Sequence, residues 1–148
     1  FPMLKKGEKA PDFSLPDEMG ETHNLSDYEG KWILLYFYPK DDTPGCTKEA
    51  CAIRDSAMEY EKMDVEVLGI SKDSIESHED LISKYKLPFT LLSDTTKKVI
   101  KMYGADGGIT TKRISYLIDP DGMIAKAYSK VDPEKHAEEV LADVETLR

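Results

Sequence analysis

Seven apolar and aromatic residues in a row, Trp32-Ile33-Leu34-Leu35-Tyr36-Phe37-Tyr38, stop at Pro39 and give way to Lys40-Asp41-Asp42-Thr43-Pro44-Gly45-Cys46. This is the longest apolar run in the chain. It is far short of the ~20 residues that cross a bilayer. It also lacks polar alternation, so it reads as a central strand buried on both faces. Such a strand needs covering layers on either side, which points to an α/β sheet.

The pattern after the run agrees. Cys46, Ala50, Ile53, Ala57 and Tyr60 recur at steps of four, three, four and three, which predicts a helix from Gly45 or Cys46 to about Met63. Val65 to Ile70 reads as the next strand. Asp73-Ser74-Ile75-Glu76 reads as a capping box opening a helix with Ile75, Leu81, Ile82 and Tyr85, ended by Pro88. Phe89 to Leu92 is a short strand, and Asp94 caps a short helix closed by Gly104. Ile114 to Ile118 and Met123 to Tyr128 flank the hairpin signal Asp119-Pro120-Asp121-Gly122. Asp132-Pro133 opens a last helix with Ala137, Val140, Leu141, Val144 and Leu147 on one side. Residues 1–30 read as loop with short strands, including a turn at Asp17-Glu18-Met19-Gly20.

Right-handed crossovers make the first two major strands parallel, and the hairpin adds antiparallel strands at an edge. The expectation is a thioredoxin-like α/β fold: a central mixed β-sheet flanked by helices, with an N-terminal β extension. At 148 residues without repeats or linkers, residues 1–148 are expected to form one domain.

The net charge of −9, from 20 basic and 29 acidic residues, disfavours nucleic acid. The first residues, Phe1-Pro2-Met3-Leu4-Lys5-Lys6, lack a secretory apolar region. The expected compartment is the cytoplasm, with room left for a targeting segment removed ahead of Phe1. No membrane partner is expected.

Two cysteines, Cys46 and Cys51, do not make a disulfide scaffold for a chain of this length; a close pair points to redox or metal chemistry. His23, His78 and His136 show no ligand spacing, so no metal is expected. Asp41-Asp42 reads as a solvated loop, and Glu76, Glu79 and Asp80 as the solvent face of a helix. Gly104-Ala105-Asp106-Gly107-Gly108 lacks the Lys-Ser/Thr of a phosphate loop and reads as a flexible connection.

A thiol becomes nucleophilic when ionised, and a helix N-terminus or a neighbouring cation favours the ion. Cys46 has the first by position: unpaired N–H groups of the first turn face it. For the cation there are three arginines. Arg54 lies eight residues along the same helix, ~12 Å away along the axis, and Arg148 is terminal. Arg113 directly precedes the strand Ile114–Ile118; if that strand runs antiparallel to Trp32–Tyr38, its start lies beside Cys46. Arg113 is therefore either the charge that stabilises a thiolate and orients a peroxide, or a surface arginine. Thr43 has two compatible readings, as a cap of the helix and as a hydrogen-bond partner of a substrate oxygen. Glu49, one turn after Cys46, either holds Arg113 through a carboxylate contact or only favours the helix dipole.

Cys51 discriminates between chemistries. Five residues apart on one helix, the two side chains are rotated ~140° and advanced ~7.5 Å, whereas a disulfide needs Cα atoms within about 7 Å. A Cys46–Cys51 bond therefore requires local unwinding. The expected cycle runs from thiolate to sulfenic acid on Cys46, then to a disulfide with Cys51, then to reduction by an external dithiol. No organic cofactor is required.

The run Phe37-Tyr38-Pro39-Lys40-Asp41-Asp42-Thr43-Pro44-Gly45-Cys46-Thr47-Lys48-Glu49-Ala50-Cys51 resembles the peroxiredoxin signature in its peroxiredoxin Q, or bacterioferritin-comigratory-protein, form. Gly7-x-x-Ala10-Pro11-Asp12-Phe13, Leu68-Gly69-Ile70-Ser71, Pro88-Phe89-x-Leu91-Leu92-Ser93-Asp94 and Arg113-x-Ser115-Tyr116-Leu117-Ile118-Asp119 echo it in the same order. The resemblance implies a thioredoxin fold, reduction of hydrogen peroxide and organic hydroperoxides, and antioxidant defence. It implies Cys46 as the peroxidatic and Cys51 as the resolving cysteine. Thr43 and Arg113 would lie in the active-site hydrogen-bond network, with Pro39 shielding the sulfur and Tyr38 and Glu49 in the surrounding shell. It further implies a monomer, or at most a weak dimer, recycled by a thioredoxin-like or glutaredoxin-like reductant. Two other classes compete. A disulfide oxidoreductase on the same fold would favour Cys-x-x-Cys, absent here, and a non-enzymatic binding module would not need Thr43, Cys46 and Cys51 together.

Overall fold

The computed structural model describes residues 1–148. Two short strands, β1 (Ser14–Pro16) and β2 (Thr22–Asn24), form an antiparallel ribbon. Then follow β3 (Trp32–Phe37), α1 (Pro44–Asp55), α2 (Ala57–Lys62), β4 (Val65–Ser71), α3 (Ile75–Tyr85), β5 (Thr90–Ser93), α4 (Lys98–Met102), β6 (Ile114–Ile118), β7 (Ile124–Tyr128) and α5 (His136–Leu147). The main sheet has the order β5-β4-β3-β6-β7. β3, β4 and β5 run parallel, and β6 and β7 are antiparallel additions. This is the expected thioredoxin-like mixed sheet, with the N-terminal ribbon as its extension.

β3 lies at the centre, and its alternation sorts the core. Ile33, Leu35 and Phe37 pack with Ala10, Phe13, Val99, Ile100 and Tyr103 on one side. Leu34, Tyr36 and Tyr38 pack with Cys46, Ala50, Ile53, Tyr60, Val140 and Val144 on the other. A continuous apolar strand satisfies both layers because successive side chains point to opposite faces. Beside it in β4, Gly69 leaves room that no other residue could: a Cβ there would stand 2.8 Å from the Tyr36 ring.

Several local expectations change. The helix expected over 45–63 breaks at Ser56, which sits at φ −101, ψ 11 between α1 and α2. Serine is a modest interior helix former, and beyond the break the Tyr60 hydroxyl donates to the Ala137 carbonyl at 2.9 Å. The capping box expected at Asp73 and Glu76 is replaced by Ser74 alone, which accepts from the Ser77 amide at 3.1 Å. Asp94 does serve the next helix, accepting from the Ile100 amide at 2.7 Å, but the N-cap position is Lys97, in the left-handed region. The hairpin closes as expected, with Gly122 at φ +80 and its amide on the Asp119 carbonyl.

The reading of Asp41-Asp42 as a solvated loop holds for Asp42 and fails for Asp41. Asp41 is buried because its carboxylate finds several donors in the interior, as described below.

Candidate active site

Cys46 is the third residue of α1 and is buried against Tyr36 and Tyr38. Pro44 starts the helix, where its missing N–H costs nothing. Thr43 occupies the N-cap position, yet its hydroxyl does not cap; it donates instead to the Lys40 carbonyl at 2.8 Å. The first-turn N–H groups thus have no side-chain cap from Thr43, and Cys46 sits in that first turn, at the positive end of α1.

Because β6 pairs antiparallel with β3, with Ile114 opposite Phe37, Arg113 arrives at the carboxyl end of β3 beside the start of α1. Its Nη2 lies 3.3 Å from Cys46 Sγ, and its Nη1 donates to Glu49 Oε1 at 2.8 Å. Burial works against the charged guanidinium, but the contact with Cys46 and the charge of Glu49 outweigh it and hold Arg113 above its ordinary value. Glu49 is fully buried, and its other oxygen, Oε2, has no hydrogen-bond partner. Burial pushes its carboxyl up to about 7 even against the opposing pull of Arg113. The other arginines stay away: Arg54 donates to the Tyr85 carbonyl and Arg148 to Glu145.

Gly45 is a site residue that sequence reasoning passed over. A Cβ at position 45 would stand 2.9 Å from Arg113 Nη2, so glycine is what lets the guanidinium reach the sulfur. In the sequence Gly45 reads only as a possible start of the helix.

The loop from Pro39 to Thr43 joins β3 to α1, with Pro39 half-buried and Tyr38 buried at its start. The Tyr38 hydroxyl donates to Asp41 Oδ1 at 2.6 Å, so Tyr38 serves the loop through Asp41. His78, on α3, lies 2.6 Å from Asp41 Oδ2. The sequence reading gave His78 no role. A signal was available: it precedes Leu81 and Ile82 by three and four residues, which places it on the buried stripe of its helix.

Cys51 lies on the same unbroken helix as Cys46, half-buried, and both are free thiols. The helix would have to open for the two sulfurs to meet.

Similarity to known proteins extends over nearly the whole chain. The AhpC/TSA family model matches residues 6–127. A Coxiella burnetii protein named as peroxiredoxin bcp is 47% identical, covering 93% of this chain and 97% of its own. A Sedum lineare protein named peroxiredoxin Q, chloroplastic, is 45% identical over 100% of this chain and 82% of its own. Among solved structures, a cysteine-to-serine mutant of Xylella fastidiosa PrxQ superposes with a TM-score of 0.92 at 30% identity, covering 99% of this chain and 98% of that one.

Proposed function

Since this chain belongs to the AhpC/TSA family, as a thiol peroxidase of the peroxiredoxin Q kind, we propose that Cys46 is its peroxidatic cysteine and Cys51 its resolving partner. The observation that carries the assignment is Arg113 Nη2 at 3.3 Å from Cys46 Sγ, at the amino end of α1. A guanidinium and a helix terminus together stabilise a thiolate.

The thiolate attacks one oxygen of the hydroperoxide. An S–O bond forms, the O–O bond breaks, and the leaving alkoxide or hydroxide takes a proton from solvent. Arg113 steadies the charge as it moves from sulfur to oxygen. Thr43 has its hydroxyl proton committed to the Lys40 carbonyl, so its oxygen is left to accept from the peroxide O–H. Pro39 shields the sulfur from bulk water, Glu49 holds the guanidinium, and Tyr38 supports the loop. After α1 opens, Cys51 attacks the Cys46 sulfur. An S–S bond forms and the sulfenic oxygen leaves as water. A thioredoxin-like or glutaredoxin-like dithiol then restores both thiols.

We propose that residues 1–148 act as one domain, as a monomer or at most a weak dimer. The cytoplasm is the proposed compartment, where an external dithiol would return both cysteines to the reduced state. Stopped-flow oxidation of the reduced protein by hydrogen peroxide, and by a bulky alkyl hydroperoxide, tests the core of the proposal. Fast oxidation lost in Cys46→Ser supports it; oxidation that survives that substitution rejects Cys46 as the nucleophile.

A further inference from the structure

The Pro39–Thr43 loop is held by α3 and the turn before it. Asp42 accepts from Lys84 Nζ and from the Tyr85 hydroxyl, both at 2.9 Å, on the exposed side. On the buried side the Asp41 amide donates to Asp73 Oδ2 at 2.9 Å, and Asp73 Oδ2 also accepts from the Ser71 hydroxyl. The Asp41 carboxylate accepts from Tyr38 on one oxygen and from Ser77, at 2.8 Å, on the other.

His78 completes the cluster. Its ring is wholly buried, with Nδ1 2.6 Å from Asp41 Oδ2 and Nε2 3.0 Å from the Leu92 carbonyl. A carbonyl can only accept. The Asp41 carboxylate already accepts from two hydroxyls, so it too is used as an acceptor. The Tyr38 oxygen is 3.5 Å from Nδ1 and gives its proton to Asp41 instead. The buried ring therefore bridges Asp41 and the Leu92 carbonyl, with one oxygen within hydrogen-bond reach of each ring nitrogen.

A single peptide unit connects this cluster to the thiol site. The amide joining Lys40 to Asp41 is planar. Its N–H is fixed by Asp73, and its C=O accepts the Thr43 hydroxyl at 2.8 Å. Whatever sets the tilt of that plane sets the direction of the Thr43 hydroxyl. We propose that Asp41 and His78 are positioning residues for the peroxidase reaction: their pair locks the Lys40–Asp41 peptide and, through it, aims the Thr43 oxygen at the peroxide. This rests on the assignment of Cys46 and Thr43 made above.

The test compares two reactions of Cys46. Alkylation by iodoacetamide needs the thiolate but not Thr43; oxidation by hydrogen peroxide needs both. In Asp41→Asn and His78→Gln the second-order rate of peroxide oxidation should fall about tenfold or more, as expected for a misplaced reacting group. Alkylation should stay within about twofold, because the Arg113 contact is untouched. In a Thr43→Val background the same two substitutions should cost nothing further, since coupled residues are not additive. Peroxide rates within twofold of the parent, parallel loss of both reactions, or full additivity with Thr43→Val would each overturn the proposal. If the buried variants do not fold, Ser77→Ala removes one donor to Asp41 and should give a smaller loss of the same selective kind; an unselective loss, or none, counts against it. Parent protein whose Cys46 ignores peroxide would instead reject the peroxidase assignment itself.

Discussion

Arg113 joins Glu49 to Cys46: one guanidinium nitrogen donates to a fully buried carboxylate at 2.8 Å, and the other lies 3.3 Å from the sulfur. The fork geometry of arginine makes both contacts at once, across 67 residues of sequence from the thiol.

Arg113→Lys keeps a positive charge but cannot span both partners. We expect peroxide oxidation of Cys46 to slow by about 10²-fold or more, the scale of losing one preorganised donor at a reacting centre. Stopped-flow rates at saturating reductant check this. A lysine variant with parent-like rates would show that charge alone suffices.

Glu49→Gln should change how stability depends on pH. Burial lifts the folded-state value of Glu49 from the ordinary 4.5 to about 7. The folded protein therefore holds a proton that the unfolded chain has already lost, and stability from this group falls as pH rises between those two values. The slope is about 1.4 kcal/mol per pH unit, and it flattens above about 7. Denaturant melts of both proteins at pH 5 and pH 8 should show the parent losing more stability than the variant. Equal losses would contradict the raised value.

Gly45→Ala separates activity from stability. The new methyl would press on Arg113 Nη2 at 2.9 Å and drive the guanidinium off the sulfur. Alanine is also the better helix former, by up to about 1 kcal/mol. The expected result is a variant that melts no lower yet reacts with peroxide about tenfold more slowly, since small displacements of an oriented group are costly. Unchanged kinetics would mean that Arg113 yields freely.

Cys51→Ser should leave the first oxidation intact and block recycling. A sulfenate reagent followed by mass spectrometry should find its label on Cys46 in that variant. In the parent, oxidation should raise amide exchange within Pro44–Asp55, because both cysteines lie on α1 and meet only when it opens. A disulfide formed with α1 still protected would rule out the unwinding step.

The legible part of the molecule was whatever repeats locally. An uninterrupted apolar strand at Trp32–Phe37, the helical spacing of Cys46, Ala50 and Ile53, and the Asp119–Gly122 turn each announce themselves within a few residues. So does the proposed nucleophile, since Cys46 follows Thr43-Pro44-Gly45 at a helix start. Arg113 was reachable by elimination among three arginines plus one assumption, that β6 runs antiparallel to β3, and the sheet has that register.

What could not be read was partnership between distant charges. Asp41 beside Asp42 looks like solvent-facing loop, and His78 looks like an isolated histidine. Only the packing of α3 against the loop makes them a buried pair, and only the approach of Arg113 explains why residue 45 lacks a side chain. Composition and periodicity act over a short stretch of contiguous chain, so the sequence by itself determined most of the elements and the candidate nucleophile. Burying a carboxylate or a guanidinium requires a partner supplied from elsewhere in the chain. Which groups meet at that sulfur was therefore decided by the tertiary fold.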